Sequence, residues 1–204
     1  MSGYNAKRAA LASVAAWQGG YFTARQALAA GYLYPQQHYH VSAGNWERVA
    51  RGVYRLRDYP QPERGDLITL SLLSHDGASQ PQAVVSHETA LMLHDLGDAN
   101  PARVHLTAAP GFRRQMPSDV ILHRAHLSPN DWEERDGFRV TTPLRTLLDI
   151  AADSMSWPLL DAAVRDALRR GIVRRQQLLS AMTPNDAHTR LVAAVTAAEE
   201  KAGA

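Results

Sequence analysis

The chain of 204 residues contains no cysteine, which excludes both a disulfide framework and a thiolate zinc site. That absence suits a reducing compartment, and the cytoplasm is the expected location. No apolar run approaches the length of a membrane span, and the N-terminus lacks a secretory signal's charged-then-apolar order. Lysine is nearly missing too, with Lys7 and Lys201 the only two in the chain. The glutamate-x-lysine cluster with which one nuclease class holds magnesium on a sheet therefore has no lysine to use. Glycine-rich phosphate loops and a serine in a nucleophile elbow are absent as well. His87 and His94 flank Glu88 but stand seven apart, whereas the zincin pattern needs histidines four apart. A satisfied or capping role fits them better. The expectation is a protein that is not an enzyme and needs no cofactor or metal.

What is present is arginine, unevenly placed. Residues 1–60 carry seven basic side chains against Glu47 and Asp58, a net of +5, while the remainder holds 15 basic and 18 acidic groups, a net of −3. A basic small region beside a mildly acidic larger one points to a polyanion partner. The charge concentrates in Trp46–Leu56, where apolar and charged residues alternate on both sides of an Arg51-Gly52 turn. That period of two predicts a β-hairpin. Val49, Val53 and Leu56 are expected to face inward, with Arg48, Arg51, Arg55 and Arg57 on or near the surface. Trp46 and Tyr54 are expected in the core at the base of the hairpin.

Ahead of the hairpin, Ala6–Trp17 reads as an alanine-rich helix with Leu11, Val14 and Trp17 at spacings of three. Gly19-Gly20 ends it. A short extended Tyr21-Phe22 follows, then a helix over Ala24–Ala30 with Thr23 as N-cap and Gly31 as C-terminal stop. Pro35 suits the first turn of a third helix running to about Ala43. Three helices followed by a basic two-stranded hairpin make a winged helix-turn-helix.

Two prolines and Gly65 mark residues 59–65 as a linker, dividing a first domain of residues 1–58 from a second of residues 66–204. The second is expected to hold helices over Asp66–His75 and from Ser86 to Leu96-Gly97, and strands over Arg103–Ala108, Val120–His123 and Phe138–Thr141. Thr142-Pro143 should start a helix to about Ala152, with further helices over Trp157–Arg170, Arg175–Met182 and Ala187–Lys201. The expected class is α+β and mostly helical: an N-terminal winged helix-turn-helix, then a mixed α/β domain with a helical tail.

Three runs in the first domain resemble the N-terminal domain of AbiEi-type antitoxins: Gly20–Ala27, Gly31-Tyr32 and Arg48–Leu56. The second half is similar to theirs in Val85–Ala90, Val104–Thr107 and Thr141–Asp149, so that the resemblance spans most of residues 10–175. These proteins are transcriptional regulators of type IV toxin–antitoxin systems. The resemblance implies a winged helix that binds repeats in its own promoter and represses it. It also implies a C-terminal domain that counteracts a nucleotidyltransferase-like toxin, by contact that need not be direct. Some longer relatives continue into a very-short-patch-repair-type nuclease domain, whose region would begin about where this sequence stops.

In such a fold the third helix enters the major groove. Here it offers Tyr34, Gln36, Gln37, His38, His40 and Ser42, and glutamine pairs well with adenine. With no arginine on this helix to read guanine, A·T-containing half-sites are expected. Tyr34 is open to either a core or a base-contact role. Arg48, Arg51, Arg55 and Arg57 would meet phosphates or the minor groove, and Thr23 and Arg25 a phosphate at the start of the second helix. Roughly five such contacts predict a slope of log K against log salt of about −4 to −5. The alternatives are a winged-helix adaptor that binds protein and not DNA, or a DNA-binding remnant of a nuclease architecture. Elsewhere, His105 and His123 are candidates for cross-strand neighbours, and Arg145 and Asp149 stand four apart on one helix and can pair. Arg169, Arg170, Arg174 and Arg175 read as a helix end around Gly171, with a second polyanion contact as the sharper alternative.

Overall fold

The computed structural model describes residues 2–153, 156–181 and 183–202. They form two units, one of residues up to 83 with 113–116 and 134–139, the other of the remainder.

The first unit runs α1 (Ser2–Ala16), β1 (Tyr21–Thr23), α2 (Ala24–Ala29), α3 (Tyr34–Ser42), β2 (Trp46–Ala50), β3 (Val53–Leu56) and α4 (Gly65–Ser74). The predicted hairpin forms, with Gly52 at φ +75° in the turn, a conformation that favours glycine. The short Tyr21-Phe22 segment becomes a full partner. β1 pairs antiparallel with β3, Tyr21 opposite Arg55, giving a three-stranded sheet in the order β1-β3-β2. Leu11, Ala15, Phe22, Ala27, Tyr32 and Trp46 form the core, with Tyr54 and Leu56 packed against it. Phe22 meets Trp46 edge-on at 4.8 Å and Tyr54 face-on at 5.9 Å, so both hairpin aromatics lie where expected.

One inward expectation fails, and the first helix ends a residue early, each for a local reason. Val49 is exposed, because the β2–β3 register shifts between Arg48 and Ala50 and the bulged residue loses its alternation. Trp17 is 86% exposed, because α1 ends at Ala16 and the three-residue spacing is not carried into the turn that follows. The unit also continues beyond the proline-rich segment. Helix α4 buries Leu67 and Ile68 and packs on β1 and β3, so residues 59–65 connect parts of one unit, where the sequence suggested a boundary between domains.

After α4 the chain continues with β4 (Ala83–Val85), α5 (His87–His94), β5 (Val104–Ala108), β6 (Val120–Arg124), β7 (Trp132–Arg135), β8 (Phe138–Thr141), α6 (Pro143–Ala152), α7 (Trp157–Arg169), α8 (Arg175–Ser180) and α9 (Asn185–Ala202). These strands form a five-stranded sheet in the order β6-β5-β4-β8-β7, with β4/β8 and β5/β6 parallel. Strand β7 was not foreseen. It is an edge strand of sequence Trp-Glu-Glu-Arg, and an edge tolerates charge that a central strand would not. Thr142 caps α6 as predicted, its hydroxyl accepting from Arg145 N–H at 3.4 Å. Leu91, Leu147, Ile150, Leu160, Val164 and Leu191 form the core between the helices. The expected end of the Arg175 helix at Met182 lies outside the described residues. The whole is a mixed α/β protein with two sheets, and among the described residues no helix is long and apolar enough to cross a membrane.

Candidate nucleic-acid interface

Helix α2, the turn around Gly31 and helix α3 form a helix-turn-helix held by short-range hydrogen bonds. Thr23 Oγ1 accepts the Gln26 N–H at 3.2 Å and Gln26 Oε1 accepts the Thr23 N–H at 2.8 Å, a reciprocal capping box. Thr23 is thus the predicted N-cap, and its hydroxyl oxygen is held in that cap. Arg25 is exposed, with its guanidinium donating to the Gly77 carbonyl. At the start of α3, Gln36 Oε1 accepts the Leu33 N–H at 3.0 Å.

Two of the predicted base readers turn inward. Gln37 is 2% exposed, and its amide nitrogen donates to the Tyr32 carbonyl at 2.9 Å and the Ala24 carbonyl at 3.1 Å. It ties the turn to the start of α2 and is not available to adenine. His40 is buried too. Its ring stacks on Trp46 at 4.7 Å, and Asn45 Nδ2 donates to its Nδ1 at 3.1 Å. Burial holds His40 below the ordinary imidazole range, consistent with an unprotonated accepting nitrogen. The helical period explains both corrections: Val41 packs on the core and sets the phase, and Gln37 and His40 share its face. The residues left outward are Tyr34, Gln36, His38, Tyr39 and Ser42. Tyr39 was missed, although the phase fixed by Val41 was signal enough to find it.

The wing divides in the same way. Arg48, Arg51 and Arg57 are exposed and make no ion pair among the described residues. Arg55 instead lies half-buried on β3, donating to Glu47 Oε2 from Nη2 at 2.8 Å and from Nε at 3.2 Å, and to the Tyr59 carbonyl at 3.2 Å. Its cross-strand position opposite Glu47 takes it out of the phosphate-binding set. What remains is an outward helix face beside an uncompensated positive wing, the arrangement with which a winged helix meets a duplex.

A family model described as "Transcriptional regulator, AbiEi antitoxin" matches residues 10–57, and one described as "AbiEi antitoxin C-terminal domain" matches residues 82–196. The chain belongs to the AbiEi antitoxin family. The resemblance read from the sequence is confirmed, and the N-terminal match coincides with the winged helix. A crystal structure of the RV2827C protein from Mycobacterium tuberculosis is similar in fold, with a TM-score of 0.59 at 15% identity over 94% of this chain and 76% of that one. Among curated proteins none matches.

Within the AbiEi C-terminal domain three imidazoles meet. His105 Nδ1 and His123 Nε2 lie 3.1 Å apart, and the His87 ring stacks on His123 at 3.5 Å. The two strand histidines are therefore neighbours, as the sequence suggested. His87 Nδ1 is 2.9 Å from Ser86 Oγ, which also accepts from the Thr107 hydroxyl at 2.7 Å. Burial depresses all three imidazoles, His87 to about 3, and repulsion from His123 and His105 adds to it at His87, as repulsion from His105 does at His123. His94 turns elsewhere, to the Thr141 carbonyl at 2.7 Å, so His87 and His94 do not converge. Among the described residues no group of three or more metal-ligating side chains is arranged to hold an ion. On α6, Arg145 Nε donates to Asp149 Oδ1 at 2.8 Å, and Asp131 approaches Arg145 at 3.4 Å. Burial still raises Asp149 to about 6, outweighing the guanidinium beside it. Of the C-terminal arginines, Arg169 pairs with Asp166, Arg170 with Asp95 and Arg175 with Glu199, while Arg174 is exposed.

Proposed function

We propose that this AbiEi-family chain is a cytoplasmic, sequence-specific duplex-DNA-binding regulator that represses its own promoter and acts as the antitoxin of a type IV toxin–antitoxin pair. The observation that carries the proposal is the outward face of α3 beside three unpaired arginines, Arg48, Arg51 and Arg57. A paired arginine must give up its partner before it can meet a phosphate, whereas an exposed cation without a partner is available to one directly. His38 and Ser42 supply polar base contacts from the helix. With Arg55 and the Thr23 cap withdrawn, about four phosphate contacts remain, giving a log–log salt slope of about −3 to −4. The role of the C-terminal domain is regulatory and binding, not catalytic. It opposes a nucleotidyltransferase-like toxin, with or without direct contact.

Fluorescence anisotropy on the chain's own upstream duplex, against a scrambled duplex of equal length, tests the DNA-binding half. Tighter binding to the promoter at physiological salt is the expected result. Equal, weak binding to both would make the winged helix a protein-interaction module. Rescue of growth on co-expression with the neighbouring toxin tests the antitoxin half.

A further inference from the structure

With Gln37 and His40 inside, the outward face of α3 has a different chemistry from the polar reader the sequence suggested. Its largest side chains are aromatic: Tyr34 is 65% exposed and Tyr39 66% exposed. Tyr39 stands about half a turn from the buried Gln37–Val41 line and so points outward, as do His38 and Ser42. Tyr39 also lines one wall of an open groove that Tyr4 and Lys7 of α1 share. Isolated exposed aromatics are ordinary, but Tyr39 stands on the outward face of the element that would enter DNA, opposite the side that packs on the core.

We infer that Tyr39 is a specificity-determining residue that reads thymine, its ring packing against the 5-methyl group on the major-groove edge. This inference rests on the DNA-binding function proposed above. The methyl of thymine is the one apolar group that any base pair offers in the major groove. The bidentate forks onto guanine and adenine are removed by the structure itself, leaving His38 and Ser42 as the polar contacts beside Tyr39. Helix α3 carries no arginine or lysine to fork onto guanine, the Gln37 amide is locked on two carbonyls, and Gln36 Oε1 is held in the helix cap. An A·T preference thus arises from thymine and an aromatic ring, where the sequence had assigned it to adenine and a glutamine. Lys7, across the groove from Tyr39, is placed to meet the phosphates flanking that base.

The test uses the full chain and three labelled duplexes: the upstream promoter, the same promoter made with uracil in place of every thymine, and a scramble. Uracil keeps all Watson–Crick pairing and removes only the methyl groups. The parent should bind the uracil duplex about fourfold more weakly for each methyl that its side chains bury. Tyr39→Phe should keep that sensitivity. Tyr39→Ala should lose it, binding both promoter forms alike, with an unchanged melting temperature because the side chain is largely in solvent. If the parent prefers promoter to scramble but ignores the methyl groups, or if Tyr39→Ala remains equally sensitive to them, the Tyr39 assignment falls while DNA binding stands. If the parent shows no promoter preference, the function itself falls and the thymine contact with it.

Discussion

The wing with the outward face of α3 and the histidine cluster of the second unit treat ionisable side chains in opposite ways. Around α3 and the wing, Arg48, Arg51, Arg57 and His38 stand in solvent. In the second unit His87, His105 and Asp149 are buried, and Arg145 is held between two carboxylates. A charge kept in water near no partner contributes little to stability and remains available to a ligand, whereas a polar group taken inside must be satisfied there. The contrast teaches where to look for each effect. Substitutions in the histidine cluster should register in folding, and substitutions on the wing should register in binding.

The largest effect expected from that contrast is on acid stability. Unfolded histidines protonate near pH 6.5, whereas His87 stays neutral in the fold down to about 3 and His105 and His123 are shifted the same way. Between those limits the unfolded chain binds more protons. The stability is therefore full above about pH 6.5 and is lost as pH falls towards 3. Asp149 opposes this: with its pKa raised to about 6, its contribution is present below about pH 4 and lost as pH rises through 6. Three histidines outweigh one carboxyl, so acidification should lower stability by a few kcal/mol, on the order of what one or two such shifts carry. Urea melts at about pH 7.5 and pH 5 measure it, and equal midpoints would break the comparison. His87→Asn should flatten part of the dependence, since asparagine tolerates the φ of +51° at this position and does not titrate.

Next in size is Gln37→Ala. Removing the amide leaves the Ala24 and Tyr32 carbonyls short of a donor, at a cost of about 1–3 kcal/mol. Affinity should fall alike for promoter and scramble, only as far as the folded fraction falls. A selective loss for the promoter would return Gln37 to the base-reading set. Arg55→Ala should cost about 1 kcal/mol through the lost Glu47 and Tyr59 contacts, and leave the salt slope unchanged. Smallest for folding is the double change Arg48→Ala with Arg51→Ala, which should move stability by no more than about 0.5 kcal/mol. Binding to every duplex should nevertheless weaken, and the salt slope should become shallower by about 0.9 for each contact removed. If Arg55→Ala flattens the slope and the double variant does not, the division of the wing is reversed.

Legibility followed the range of the interaction. The Thr23 and Thr142 caps, the Arg51-Gly52 turn, the Arg145–Asp149 pair and the aromatic hairpin base are contacts within a few residues, or patterns of period two, and were readable in the sequence. Gln37 and Arg55 were misplaced because their partners, Ala24 and Tyr32 in one case and Glu47 and Tyr59 in the other, include groups that packing alone brings into reach. Strand β7 escaped notice because an edge strand lacks the apolar alternation that marks the others.

By itself the sequence determined the winged-helix pattern, the concentration of arginine in its first sixty residues and the family, because these rest on spacing, composition and motif. Only the tertiary structure decided which arginines remain uncompensated, which face of α3 looks outward and that three histidines from separate elements meet in one cluster. The phase of a short helix and the meeting of distant side chains are set by what packs against them, and no local pattern encodes that.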